Sequence, residues 1–306
     1  MRFRLLYIVL LFLSAWTISN AQLDSTVATK NGKVLVHSIS GGIYVSTFVL
    51  LNELWYSGYD RSAFHFFNDS KEWLQIDKAG HMHAGYFIAA NVLYPSYKLA
   101  GYDNKKATYL AMSVAWVYQA TIEVLDGFSL KWGASWSDLV ANSIGVGLAG
   151  TQQLHWGEQR ILLKYSSYSV DYSNDPIVLA RAENLYGTGS AERLLKDYNG
   201  ITYWASANLH SFGLKSPKWL NLAVGYGAEG MLGGFQNTWS SNGMQYDYNH
   251  IQRRRQFYLS PDLDFTKIKI KGKAWKVVAP ILNIFKFPAP ALEMSSEGLK
   301  GHWIFF

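Results

Sequence analysis

The sequence predicts a mainly α protein, a helical bundle followed by a mixed, irregular C-terminal region with a few short strands. Between residues 33 and 157, long apolar stretches are bounded by capping residues rather than by turn clusters. The last of these stretches places Gly145, Gly147 and Gly150 among Ala141 and Ala149, a pattern that lets another helix approach closely. Beyond residue 158 the alternation of apolar and polar residues is only partial, and glycines interrupt it.

Arg2 and Arg4 precede an apolar run from Leu5 to Leu13, and Ser19-Asn20-Ala21 places small residues before Gln22. These are the charged, apolar and cleavage regions of a signal peptide, expected at residues 1–21, and the apolar run is shorter than the roughly 20 residues of a membrane span. The expected address is therefore outside the cytoplasm, in the periplasm or outer membrane of a Gram-negative envelope.

A helix is expected over the apolar run Val34 to Tyr56, whose length suits either a span or a helix buried or lying at a membrane surface; its Gly41-Gly42 pair and polar residues favour the latter. A second helix is expected from Asp77 to about Leu93, ended by Pro95. A third runs from Asn104 or Lys105 to Leu125, with Asp103 as N-cap candidate and Gly127 just past its end. A fourth starts after Ser135, with Ser137 and Asp138 in its first turn, and continues to Leu154. These define a helical domain over residues 22–157.

Residues 158–306 are expected to form an aromatic-rich region packed on that bundle, with short helices at Ala180–Leu185 and Ser190–Lys196, a longer one at Trp275–Phe285, and partly alternating segments at 160–172, 201–212 and 256–265. The terminal Lys300-Gly301-His302-Trp303-Ile304-Phe305-Phe306 has the alternation of a closing outer-membrane barrel strand. The chain lacks the eight or more alternating segments of a barrel, so a strand docked on its own domain is the expectation. Gly225-Tyr226-Gly227-Ala228-Glu229-Gly230 has the wrong order for a dinucleotide loop and reads as close backbone packing.

Composition excludes whole classes of chemistry. The chain has no cysteine, which rules out disulfides, thiolate ligands, a cysteine nucleophile and a lipid-bearing cysteine. The net charge of +6 is too small to argue for nucleic acid, and it falls to +4 without the two signal arginines. Aromatics make up 16% of the residues, which suits a membrane interface or lipid partner as well as a large core. Protein partners are left open by the sequence, and no Gly-x-Ser-x-Gly elbow marks a serine hydrolase.

Three clusters place ionisable groups among apolar neighbours. Asp77-Lys78-Ala79-Gly80-His81 sets Asp77 and His81 one helical turn apart; Glu123 and Asp126 end the third helix; Trp136-Ser137-Asp138-Leu139-Val140-Ala141-Asn142 sets Asp138 and Asn142 one turn apart. Three chemistries follow. The residues can form a buried structural network, with Lys78 pairing Glu123 or Asp126 and Ser137 or Asp138 capping the fourth helix. Asp77, His81 and Glu123 can hold a divalent metal as cofactor, with Lys78 orienting an anion. His81 can act as a general base, with Glu123 or Asp138 holding its tautomer, in hydrolysis of an envelope lipid or cell-wall precursor.

The order Asp77-Lys78-Ala79-x-His81, then Glu123 with Asp126, then Trp136-Ser137-x-Asp138-Leu139 with Asn142 before a glycine-containing helix resembles the YfiM-like predicted periplasmic lipoproteins. A weaker similarity reaches VanZ-like membrane proteins. The resemblance covers residues 72–154 and implies an exported envelope protein of unknown function. It brings no mechanism, and the family's lipid anchor does not carry over to a chain without cysteine. The expected function is a membrane-associated envelope protein with a structural or ligand-binding role at this cluster; the alternatives are an envelope hydrolase and an outer-membrane protein with partial β-structure.

Overall fold

The computed structural model describes residues 30–51 and 60–305. The signal peptide expected at residues 1–21 lies outside them, as does the end of the first expected helix. The described chain clusters into two units, one holding residues 60–69 and 81–159 with the first helix, the other residues 70–80 and 160–305.

In the first unit, helix α1 spans Lys30–Leu51 and leaves Val34, Leu35, Val45 and Val49 exposed. Among the described residues no helix is long and apolar enough to cross a membrane. Helix α2 is Ile76–Phe87, whose first turn groups with the second unit. The expected stop at Pro95 does not occur: a π-helical turn over Ile88–Leu93 leads directly into α3, Tyr94–Leu99. Proline lacks an N–H and its ring crowds the carbonyl four residues back, and the wider turn immediately before it gives the ring room. Helix α4, Asn104–Asp126, starts where Asp103 accepts a hydrogen bond from the Lys106 amide, and Gly127 follows its last residue.

Helix α5, Trp136–Trp156, is capped by neither Ser137 nor Asp138 but by Ser135, which accepts from the Asp138 amide. Its small residues bring it against α2. A Cβ on Gly145 would stand 2.0 Å from the Met82 carbonyl oxygen, and one on Gly85 would stand 2.8 Å from the Asn142 carbonyl oxygen. Each helix thus presents a glycine to the other's main chain.

The second unit overturns the mainly helical expectation. Six strands form one antiparallel sheet in the order β1 (Ile161–Ser167), β2 (Ile201–Asn208), β3 (Leu220–Glu229), β6 (Arg254–Leu263), β7 (Ala289–Ser295) and β8 (Gly298–Phe305), while β4 (Thr238–Ser241) and β5 (Met244–Asp247) pair separately as a hairpin. The protein is α+β, and the region expected to be irregular is its sheet. Helices α6 (Pro176–Tyr186), α7 (Ser190–Lys196) and α8 (Lys273–Leu282) interrupt the strands.

Strand β3 contains the glycine run. Gly225 is needed there because a Cβ would stand 2.8 Å from the Trp204 ring on β2. Trp204, Ala223, Tyr258 and Ala291 form a buried cluster on one face, completed by Phe305 of β8. The same face buries Lys164 against Asp262 at 2.8 Å, and Lys286 donates to the Pro261 and Phe287 carbonyls. Burial drives the Lys286 ammonium down to about 8, while Asp262 opposes that fall. A left-handed turn at Trp73, Leu74 and Gln75 leads into α2, with Trp73 packed edge-on against Tyr186 and Tyr198. Non-glycine residues pay about 1–2 kcal/mol each for that conformation, a cost met by the ring packing.

Candidate functional site

The first unit brings His81, Glu123, Asp138 and Asn142 together. Helix α2 supplies His81, the last turn of α4 supplies Glu123, and the first two turns of α5 supply Asp138 and Asn142. The glycine contacts between α2 and α5 set their separation, so the His81 ring reaches Asn142 Oδ1 at 3.1 Å through Nδ1.

The two ring nitrogens divide the carboxylates between them. Nδ1 lies 3.6 Å from Glu123 Oε1, and Nε2 lies 3.7 Å from Asp138 Oδ2. A single ion bound to one nitrogen therefore has Glu123 or Asp138 beside it, with the other carboxylate at the far edge of the ring. The pair suited to a cation is His81 Nε2 with Asp138, Glu123 and Asn142 then acting as the outer partners that fix the ring.

Asn142 Oδ1 also accepts from Gln119 Nε2 at 2.8 Å. With its oxygen engaged by Gln119 and His81, the amide turns its Nδ2 the other way, and among the described residues that buried nitrogen has no hydrogen-bond partner. Glu123 is similar: its Oε2 accepts from the Ser135 amide at 3.2 Å, and its buried Oε1 has no hydrogen bond among the described residues. Burial, reinforced by the Asp138 charge and opposed by His81, drives the Glu123 carboxyl up to about 8, so it is a neutral acid at pH 7. Because Oε2 accepts from the backbone, the proton belongs on Oε1. Two buried donors, an amide N–H and a carboxylic O–H, are thus left without acceptors among the described residues, on side chains that flank an imidazole 22% exposed.

A second layer was not legible from the sequence. Asp69 is buried and its Oδ1 accepts from both Ser135 Oγ and Ser137 Oγ, the latter at 2.7 Å. It thereby ties the start of α5 to the segment before α2. The cap spacing Ser135-x-x-Asp138 was the available signal for Ser135; Asp69 and Gln119 carried none.

The other expected site residues have further partners of their own. Asp77 takes hydrogen bonds from Lys78 at 3.0 Å and Tyr198 at 2.7 Å within the second unit. Asp126 accepts from the Trp132 indole. His83, on another face of α2, is driven down to about 4 by burial and is neutral at pH 7.

The fold and cluster define a class: an α+β protein whose helical unit gathers buried acids, a buried amide and a partly exposed histidine at one place. Within that class, residues 65–153 match the model of a family described as predicted periplasmic lipoprotein (DUF2279), 89 of 306 residues. The chain is similar to that family over the segment carrying His81, Glu123, Asp138 and Asn142, and it is an exported, periplasmic protein. It has no cysteine to carry the family's lipid. No curated protein and no solved structure matches the chain.

Proposed function

We propose that this exported protein is membrane-associated and binds an oxygen-bearing ligand, a phosphoryl or carbonyl group, at His81, Glu123, Asp138 and Asn142. The observation that carries the reading is the pair of buried donors, Asn142 Nδ2 and Glu123 Oε1, without acceptors among the described residues. A buried donor left unmatched costs about 1–3 kcal/mol, and a purely structural network has no reason to keep two. The ligand oxygen accepts from both, and His81 with Asp138 faces the atom beyond it. Membrane association is supported by the exposed apolar residues of α1, including Val34, Leu35 and Val45. The same residues make the chain, on this reading, a relative of the YfiM-like and VanZ-like proteins.

A second reading, an envelope hydrolase, draws on the same donors. An amide and a neutral acid that both donate to one oxygen can stabilise negative charge developing there, and His81 can move a proton. A divalent cation at His81 Nε2 and Asp138 would supply Lewis-acid polarisation.

The test compares wild type with His81→Ala and Asn142→Leu by thermal shift against inorganic phosphate, an organophosphate ester and a divalent metal, each alone. Binding predicts that wild type is stabilised by one of these, that both variants fold with melting temperatures near wild type, and that both lose the response. A wild type that responds to none, together with a drop of several degrees in His81→Ala, assigns the cluster to structure and overturns the proposal.

A further inference from the structure

The sheet of the second unit is inside out. In a water-soluble antiparallel sheet the apolar side chains face the covered side and the polar ones face solvent. Here the covered side carries Lys164, Ser206, Asn221, Gln256, Asp262 and Glu293 alongside the Trp204 cluster, all of them buried. These polar groups satisfy one another: Ser206 donates to Asp262, Asn221 to Ser206, and Gln256 to Glu293.

The other side is apolar too, packed by Ile76 and Met231 near Ala228 but open over much of β3, β6, β7 and β8. The strand register aligns Val224, Leu259 and Leu292 in one row across three strands, and Phe257, Met294 and Leu299 in the next. Their exposures run from 43% to 71%, which leaves a continuous apolar band where polar side chains are the norm.

The two ends of the sheet differ in charge. At one end Arg254 pairs with Glu229 and Glu297, so both signs are present. The other end is formed by the β2–β3 connection and the segment after β6, which meet where the Asp264 amide donates to the Trp219 carbonyl. The segments 209–220 and 265–276 hold seven lysines and no acidic residue. Lys215, Lys218, Lys269 and Lys271 are exposed there, interleaved with exposed Phe212, Leu214, Trp219 and Ile270. Lysines and large apolar side chains at one rim of an apolar band match the headgroup boundary of an anionic bilayer.

We propose that the outer face of this sheet is seated in the acyl region of an anionic lipid bilayer, with the lysine-rich end at the headgroups. The inference deepens the membrane association proposed above and rests on it. Hydrocarbon accounts for both halves of the inverted pattern, since apolar side chains outside and a hydrogen-bonded polar interior are what strands facing lipid adopt.

Because the chain has no cysteine, one can be placed at will. Full-length protein carrying Leu259→Cys is labelled with an environment-sensitive fluorophore and mixed with phosphatidylglycerol-containing vesicles or with pure phosphatidylcholine vesicles. Ser241→Cys, exposed in the β4–β5 hairpin, is the reference. The expected result is a blue-shifted emission for Leu259→Cys only, with anionic vesicles, and roughly fivefold weaker binding for each of Lys215, Lys218, Lys269 and Lys271 changed to Gln. Vesicle flotation with a silent Leu259 probe overturns this face while leaving membrane association standing. Failure to float on any vesicle overturns both. A blue shift without lipid that grows with protein concentration assigns the face to a second copy and also overturns the inference.

Discussion

Replacing Glu123 with Gln isolates the most perturbed group of the helical unit. The carboxyl is 2% exposed, and its folded-state value near 8 stands against an ordinary value of 4.5. Between those two pH values the folded protein holds a proton that the unfolded chain has released. Folding stability contributed by Glu123 is therefore complete below about pH 4.5 and drains away as pH rises toward 8. At about 1.4 kcal/mol per pH unit the full loss is on the order of 5 kcal/mol. Gln keeps the shape of the neutral acid and cannot ionise. Glu123→Gln should match wild type near pH 4.5 and exceed it progressively to pH 8, where the gain corresponds to roughly 10 °C in melting temperature. Paired calorimetric scans of the two proteins from pH 4.5 to 8 make the measurement, and the quantity of interest is the difference between them at each pH, which cancels every other titrating group. A difference that stays flat with pH, or that favours wild type at pH 8, refutes the neutral-acid assignment and with it the donor role of Oε1.

Asp262→Asn leaves the buried Lys164 and Lys286 without their shared counter-charge, and urea titration should show a loss of about 3–5 kcal/mol. Gly145→Ala drives a methyl group against the Met82 carbonyl; it should cost about 1–3 kcal/mol by the same assay and abolish any ligand response, because α2 must shift and take His81 with it. Asp69→Ala strands the hydroxyls of Ser135 and Ser137 and should cost about 1–3 kcal/mol, with faster amide exchange in the first turn of α5.

The helical half was largely legible because its signals are local. Asp103 caps α4 and Gly127 follows it as the spacing predicted, and the one-turn spacing of Asp77 and His81, and of Asp138 and Asn142, follows from helix geometry alone. The sheet was not legible as a sheet. A strand is legible when the face it buries is apolar, and β2 reads Ile-Thr-Tyr-Trp-Ala-Ser-Ala-Asn, in which the buried positions include Thr202, Ser206 and Asn208. With polar groups inside and small residues between, the hydropathy period is damped, and only the long-range ladder from β1 to β8 reveals it. The site was legible in membership but not in wiring. Spacing placed His81 near the acids, whereas the assignment of Glu123 to Nδ1 and Asp138 to Nε2 depends on which helix ends meet. Asp69 lies 66 residues from Ser135 in the chain, and nothing around it marks it as a partner.

The reciprocal glycines of α2 and α5 bear on how this site can change over generations. Their helices touch through main chain, Gly145 at the Met82 carbonyl and Gly85 at the Asn142 carbonyl, so no side chain acts as the spacer. Apolar residues elsewhere in the unit can drift in size without widening the gap across which His81 meets Asn142. The site is thereby insulated from the repacking that ordinary substitution brings, and two positions with no side chain of their own become the least replaceable in the unit.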